Sequence, residues 1–271
     1  MINRRFKANR PRTVGSTDMT PRWDSVSEII EKSDVVLEVL DARMPQISRN
    51  SEVEKLAGKF EKRLIFILNK ADLVPESFLE NSFKKLKKEG ECFIISSKDM
   101  IGTKRLRDYL LALGKSKEGK LRIGVVGYPN IGKSSIINVI SLKHKTKVSF
   151  TAGTTHGPQW INAQANLSII DSPGVIPLDE HDEIRLALIA AKNVEKIKQL
   201  DLVSQAVINL FEDKQLLKDF YKIKIESNDT QEIMDEIGRK KGFIKKGGII
   251  DESRTSIQII QDWQRGNLRF K

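Results

Sequence analysis

Short motifs that together describe one binding site occur in this chain in an inverted order, and that order constrains the fold more than any other feature. Gly127-Tyr128-Pro129-Asn130-Ile131-Gly132-Lys133-Ser134 fits the phosphate-loop pattern G-x-x-x-x-G-K-[ST]. Upstream of it, Asn69-Lys70-Ala71-Asp72 fits N-K-x-D, a pattern that reads a guanine base, and Ser96-Ser97-Lys98 has the form of its companion loop. The usual order places the phosphate motifs first. Here the base motifs precede the phosphate loop, Thr155 and Asp171-Ser172-Pro173-Gly174. The chain reads as a complete site cut open and rejoined at a different place, a circular permutation. Rewiring of this kind changes what a nucleotide-dependent segment pulls on.

Each motif carries a distinct piece of chemistry. Glycines in the phosphate loop let successive backbone N–H groups point inward at a helix N-terminus, where the helix dipole favours anions. Lys133 is placed to bridge the β- and γ-phosphates and Ser134 to ligate Mg²⁺, with Ile131, Gly132 and Ser135 completing the cradle. Asp171 is the second metal group and the Gly174 amide the sensor of the γ-phosphate. Thr155 in Ala152-Gly153-Thr154-Thr155 is the candidate switch threonine and third Mg²⁺ ligand, with Thr154 as the alternative. The Asp72 carboxylate accepts from guanine N1–H and the 2-amino group, which adenine cannot offer. Asn69 addresses the other edge, Lys70 packs along the base plane, and the Ser97 amide, flanked by Ser96 and Lys98, meets the guanine oxygen. The attacking water is less well provided for. Val175 follows Gly174, and a valine orients no water; His156 is the nearest titratable candidate, with an exposed loop histidine as the other reading. The catalytic set expected is therefore Lys133, Thr155, Gly174 and His156. Asn130 is a candidate ligand for a potassium ion beside the phosphates.

Apolar runs at Val35–Leu40, Leu64–Leu68, Cys92–Ile95, Leu121–Val126 and Leu167–Ile170 read as buried parallel strands. Helical patterns at Glu76–Lys88, Lys104–Leu113 and Ser134–Ile140 lie between them, and each motif begins where a strand ends. The expected fold is α/β: a doubly wound, mostly parallel sheet with ligands at the carboxyl ends of its strands. Residues 1–23 read as a basic tail, either a disordered end or an arm that orders on nucleic acid. Residues 24–180 form the nucleotide domain and 181–271 a separate helical one. Within the latter, Asp229 with Glu232 suits a helix start, Gly242 a stop, and Asp251 the cap of a last helix carrying Ile257, Ile260 and Trp263.

Composition adds bounds. A net charge of +11 and pI near 9.6 favour a polyanionic partner such as a phosphate backbone. No apolar run approaches the ~20 residues that cross a bilayer, and the basic N-terminus lacks the apolar stretch of a secretory signal. The single cysteine, Cys92, lies in a strand-like run and reads as a buried thiol. A cytoplasmic protein is expected.

The chain resembles the circularly permuted GTPases that assemble the large ribosomal subunit, most closely the ribosome-biogenesis GTPase A group and its archaeal and organellar relatives. Residues carrying the resemblance are Asp34–Ser51 (with Asp41-Ala42-Arg43 and Ser48-Arg49-Asn50), Asn69–Asp72, Gly127–Ser135, Gly153–Trp160, Asp171–Gly174 and Glu236–Gly242. The resemblance implies GTP hydrolysis to GDP with Mg²⁺, a hydrophobic residue in place of the water-orienting glutamine, and potassium stimulation where position 130 is asparagine. It implies a C-terminal helical domain that binds ribosomal RNA, and hence a large-subunit precursor as partner for a chain monomeric away from it. Arg239, Lys240, Lys241, Lys245 and Lys246, clustered around Gly242, Gly247 and Gly248, are the expected RNA contacts, with a solvated turn as the alternative. One departure stands out: no histidine occurs in Met19–Ser27, where bacterial members carry one. Two rival functions follow, a guanine-nucleotide-gated RNA-binding scaffold with little turnover, and a permuted GTPase acting on the small subunit or tRNA.

Overall fold

The computed structural model describes residues 20–141, 160–164, 166–177 and 179–270. Six strands form one sheet in the order β3-β2-β1-β4-β6-β5. They are β1 (Val35–Asp41), β2 (Arg63–Asn69), β3 (Glu91–Ile94), β4 (Leu121–Val126), β5 (Ile161–Gln164) and β6 (Leu167–Asp171). Every neighbouring pair is parallel except β5 with β6. β1 and β2 are mostly apolar because both faces of a parallel sheet are covered, with Glu38 the buried exception in the middle of β1. All five runs expected as strands are strands, each within a residue or so of its expected ends.

Helices α1 (Thr20–Lys32), α2 (Ser51–Lys59), α3 (Glu76–Lys87), α4 (Thr103–Lys115) and α5 (Lys133–Ser141) connect them. On one face, Leu106 and Leu110 of α4 and Ile136, Ile137 and Ile140 of α5 pack with Leu37, Val39, Ile123 and Val125. On the other, Val26 and Ile30 of α1 and Val53 and Ala57 of α2 meet Val36 and Val126. Burying each such side chain contributes roughly 1.5–3 kcal/mol. Strand order reverses between β1 and β4, and in an open α/β sheet the crevice at that switch point is where ligands bind. Helix α1 begins at Thr20, inside the segment expected as tail; its apolar Val26, Ile29 and Ile30 sit at helical spacing and are fully buried.

Past Pro177 the chain is helical: α6 (Glu183–Leu188), α7 (Leu200–Asn209), α8 (Gln215–Tyr221), α9 (Thr230–Lys241) and α10 (Glu252–Gln264). Asp229 caps α9 by accepting from Gln231 N and Glu232 N, and Gly242 ends it in the left-handed conformation. Asp251 caps α10 by accepting from Arg254 N. Between them Ile244 and Ile250 form an isolated antiparallel bridge, so this region is not purely helical. Phe211, Ile233, Ile237, Ile259 and Trp263 make its core, which also takes in Met44 and Ile47 from the loop after β1. Among the described residues no helix is long and apolar enough to cross a membrane.

Candidate guanine-nucleotide site

The motifs converge on one edge of the sheet. Ser96–Lys98 follows β3, Asn69–Asp72 follows β2, the phosphate loop follows β4 and Asp171 ends β6. Strand order therefore lays base chemistry at one end of the edge and phosphate chemistry at the other. What the permutation scrambles along the chain, the sheet restores in space.

At the base end, the Ser96 hydroxyl donates to Asp72 Oδ1 at 2.9 Å and accepts from Asp99 N at 3.0 Å, which fixes the carboxylate's orientation. Asn69 joins the two halves of the site. Its Nδ2 donates to Ile131 O in the phosphate loop at 3.2 Å, and its Oδ1 accepts from Ser97 N at 3.3 Å. Gly132 must be glycine for this to hold. Its φ is +105°, and a Cβ there would lie 2.2 Å from Asn69 Nδ2. Lys70 adopts a left-handed backbone at the start of the short 3₁₀ turn Ala71–Leu73. Lys98 is exposed and takes no described part in the loop's hydrogen bonds.

At the phosphate end, Lys133 opens α5 and folds back so that Nζ donates to Gly127 O (3.1 Å) and Tyr128 O (2.8 Å). Burial pushes its ammonium down to about 8, with Asp171 pulling the other way. A buried cation aimed into its own loop is poised to exchange carbonyl partners for phosphate oxygens. Ser134 Oγ donates to Asp171 Oδ2 at 2.8 Å, while Asp171 Oδ1 is buried without a hydrogen-bond partner. Burial also raises the Asp171 carboxyl above its ordinary value. An orphaned carboxylate oxygen beside a hydroxyl is a donor set that a magnesium ion bound mainly by phosphates and water would complete. The described residues contain no group of three or more His, Cys, Asp or Glu side chains that could hold a metal unaided. Gly174 lies against the loop; a Cβ there would come within 2.7 Å of Pro129 Cα and 3.0 Å of Lys133 Nζ. Ser135 is exposed next to Ser134.

Val175 does not face this edge. It is buried among Val26, Val36, Val53 and Val126, and its carbonyl accepts from Asn50 Nδ2 at 3.4 Å. Asn50, the cap of α2, donates its N–H to Glu38 at 2.7 Å; burial pushes that carboxyl up to about 8. Asn130 Nδ2 donates to Ala190 O (3.0 Å) and Asn193 Oδ1 (3.3 Å), joining the phosphate loop to the helical region. Thr155, its neighbour Thr154 and His156 lie outside the described residues, as do residues 1–19. Of the other expectations, Cys92 is buried, with its thiol pushed up to about 12.

The five basic residues expected to contact RNA are not on this edge. Arg239, Lys240 and Lys241 end α9; Lys245 and Lys246 lie on the hairpin that follows, where Lys245 N donates to Ile249 O at 2.7 Å. All five are exposed, as are Ile244 and Ile249 beside them.

Residues 122–242 match the family model described as "50S ribosome-binding GTPase". The chain is 40% identical to an uncharacterised GTP-binding protein of Methanocaldococcus jannaschii over 254 residues, 90% of this chain and 65% of that protein. The motif order and the strand order agree with that likeness. In its motifs and over residues 122–242 the chain is similar to GTPases of this kind. Another relative is nucleolar GTP-binding protein 2 of Pneumocystis carinii, 32% identical over 91% of this chain and 52% of that one. The chain thus spans between half and two thirds of the length of these two relatives. GNP-bound YlqF from T. maritima has the same fold, with a TM-score of 0.61 at 23% identity over 92% of this chain and 96% of that one.

Residues that motif reading left without a role also lie beside this candidate site. Asp41, Arg43 and Asn50 were legible only as points of family resemblance, and Asn193 carried no local signal at all.

Proposed function

We propose that this chain binds GTP with Mg²⁺ along the carboxyl edge of its sheet, hydrolyses it to GDP and phosphate, and acts as a nucleotide-switched assembly factor for the large ribosomal subunit. The observation that carries this is the convergence of Asp72, Lys133, Ser134 and Asp171 on one edge that the helical region also touches, through Asn130, Ala190 and Asn193. In this reading Asp72 selects guanine, Asn69 and Ser97 frame the base, and Lys70 lies along its plane. Gly132 and the amides of residues 130–135 hold the β-phosphate, Lys133 bridges to the γ-phosphate, and the Gly174 amide senses it. Ser134, Asp171 and Thr155 would hold the metal, which supplies positive charge to the phosphate oxygens when bound. Asn130 would present its carbonyl oxygen to a potassium ion, whose charge serves the same end.

The permutation gives the switch its output. Only a few residues separate Gly174 from α6, so a contact made at Gly174 pulls on the helical region directly. The exposed cluster Arg239, Lys240, Lys241, Lys245 and Lys246 is the proposed contact for ribosomal RNA. The family description supports a large-subunit client, and the chain works as a monomer in the cytoplasm away from it.

Co-sedimentation with isolated large and small subunits, in potassium buffer with GDP or a non-hydrolysable GTP analogue, tests this reading. Pelleting with the large subunit only, and only with the analogue, is expected. Charge reversal at Lys240, Lys241, Lys245 and Lys246 should abolish it, and binding to the small subunit or to neither would refute the client. A second reading, a GTP-gated scaffold with little turnover, draws on the burial of Val175, which leaves that position unable to orient water. GTP turnover with and without large subunits separates the two.

A further inference from the structure

A buried ionic chain runs from the base motif to the last helix. Lys70 Nζ donates to Asp41 Oδ2 at 2.7 Å. The same carboxylate accepts from Arg43 Nη2 (2.8 Å), Nε (3.0 Å) and backbone N (3.0 Å). Arg43 Nη1 in turn donates to Trp263 O at 2.6 Å, and its guanidinium lies 4.0 Å from the centre of the Trp263 ring. Asp41 and Arg43 have no exposed side-chain surface, while Lys70 retains 19%. Trp263 is held by donating Nε1 to Leu188 O at 2.7 Å. Beyond α10 the chain returns to the base motif, with Phe270 N donating to Leu73 O at 3.0 Å.

A buried ion pair is weak evidence for stability, since apolar residues of similar volume often serve the fold as well. This one saturates its carboxylate and ties the ammonium of Lys70, which starts the turn that carries Asp72, back to the end of β1. Lys70 has a long flexible stem with rotamer entropy of about 2 kcal/mol, so anchoring its ammonium before a base arrives lowers the ordering cost of binding.

We propose that Asp41 is a positioning residue for Lys70, and that Arg43 and Trp263 make this positioning depend on the seating of α10, so that the helical region sets the grip on the guanine base. This rests on the reading of Lys70 as a base-packing residue. By linkage, whatever shifts α10 changes nucleotide affinity, and nucleotide changes α10 by the same factor.

Fluorescent-GDP affinity and steady-state GTP turnover should be measured for Lys70→Ala, Asp41→Asn and the double variant. Both single variants are expected to weaken GDP binding about tenfold and raise KM for GTP, with kcat at saturation within about twofold. The double variant should be no weaker than the weaker single one, the signature of one shared interaction. Asp41→Asn leaves Arg43 buried without its partner and risks unfolding, so a second measurement uses the intact charge chain. The three tryptophans give three indole N–H resonances in ¹⁵N spectra, and that of Trp263 should shift on adding GDP to the wild type but not to Lys70→Ala. Wild-type binding by Asp41→Asn alongside weakened Lys70→Ala, additive losses in the double variant, or a Trp263 shift that persists without Lys70 each overturns the relay. Wild-type binding by Lys70→Ala overturns the base-packing reading itself.

Discussion

Lys133→Ala should lower the affinity for GDP and GTP by about 10²-fold or more. In the proposed nucleotide-bound state the ammonium would make two charge-assisted hydrogen bonds to phosphate in place of the two it makes to Gly127 and Tyr128 carbonyls. Such bonds contribute about 1.5–3 kcal/mol each, and 1.4 kcal/mol is tenfold in affinity. Circular dichroism of the variant should be unchanged, which assigns the loss to the ligand. Lys133 also predicts a pH dependence. Burial lowers its pKa to about 8, and a bound phosphate raises it again, so binding takes up a proton above that pH. Affinity should be flat from pH 7 to 8 and then decline, by at most tenfold per unit. Folding stability of the nucleotide-free protein moves the other way. The unfolded lysine, titrating near 10.5, holds more protons than the folded one between about 8 and 10.5, so this group's penalty is full below 8 and fades above it. Titrations with fluorescent GDP and thermal melts over the same pH range check both signs.

Asp72→Asn should invert base selectivity. Two hydrogen bonds from guanine to an ionised acceptor are lost or weakened, for a fall in GDP affinity of about 10²–10³-fold. Xanthine carries a carbonyl where guanine has its amino group, so an asparagine amide donor there should restore much of the binding. The fold is expected to survive, because an asparagine Oδ1 can still accept from the Ser96 hydroxyl as Asp72 Oδ1 does. Competition of GDP, XDP and ADP against a fluorescent nucleotide reads the result directly. Retained preference for GDP would refute the assignment of Asp72 as the selector, and tight ADP binding by the wild type would do so more broadly.

The candidate site was legible in the sequence because its motifs are local. Gly132, Lys133 and Ser134 stand next to one another, and the apolar run Leu121–Val126 before them marks the strand end they need. Parallel strands buried on both faces announce themselves for the same reason, as at Val35–Asp41. The short strand Ile161–Gln164 did not, since four residues, two of them polar, carry little pattern and owe their structure to pairing with β6. Helix α2 was likewise missed, being only nine residues long, although its cap Asn50 was in view. What no window of sequence could show is where a charge goes when the chain folds. Arg43 stood in the sequence only as a point of family resemblance, yet its guanidinium ends fully buried on a carbonyl 220 residues away. Val175 reads as a gap in the catalytic set, while the packed helices α1 and α2 make it core. Motif order alone set the expectation of a permuted guanine-nucleotide site. Only tertiary structure decided that the helical region grips that site from both ends, at Asn130 and at Asp41, because hydrogen bonds and burial depend on distance in space, which sequence separation does not measure.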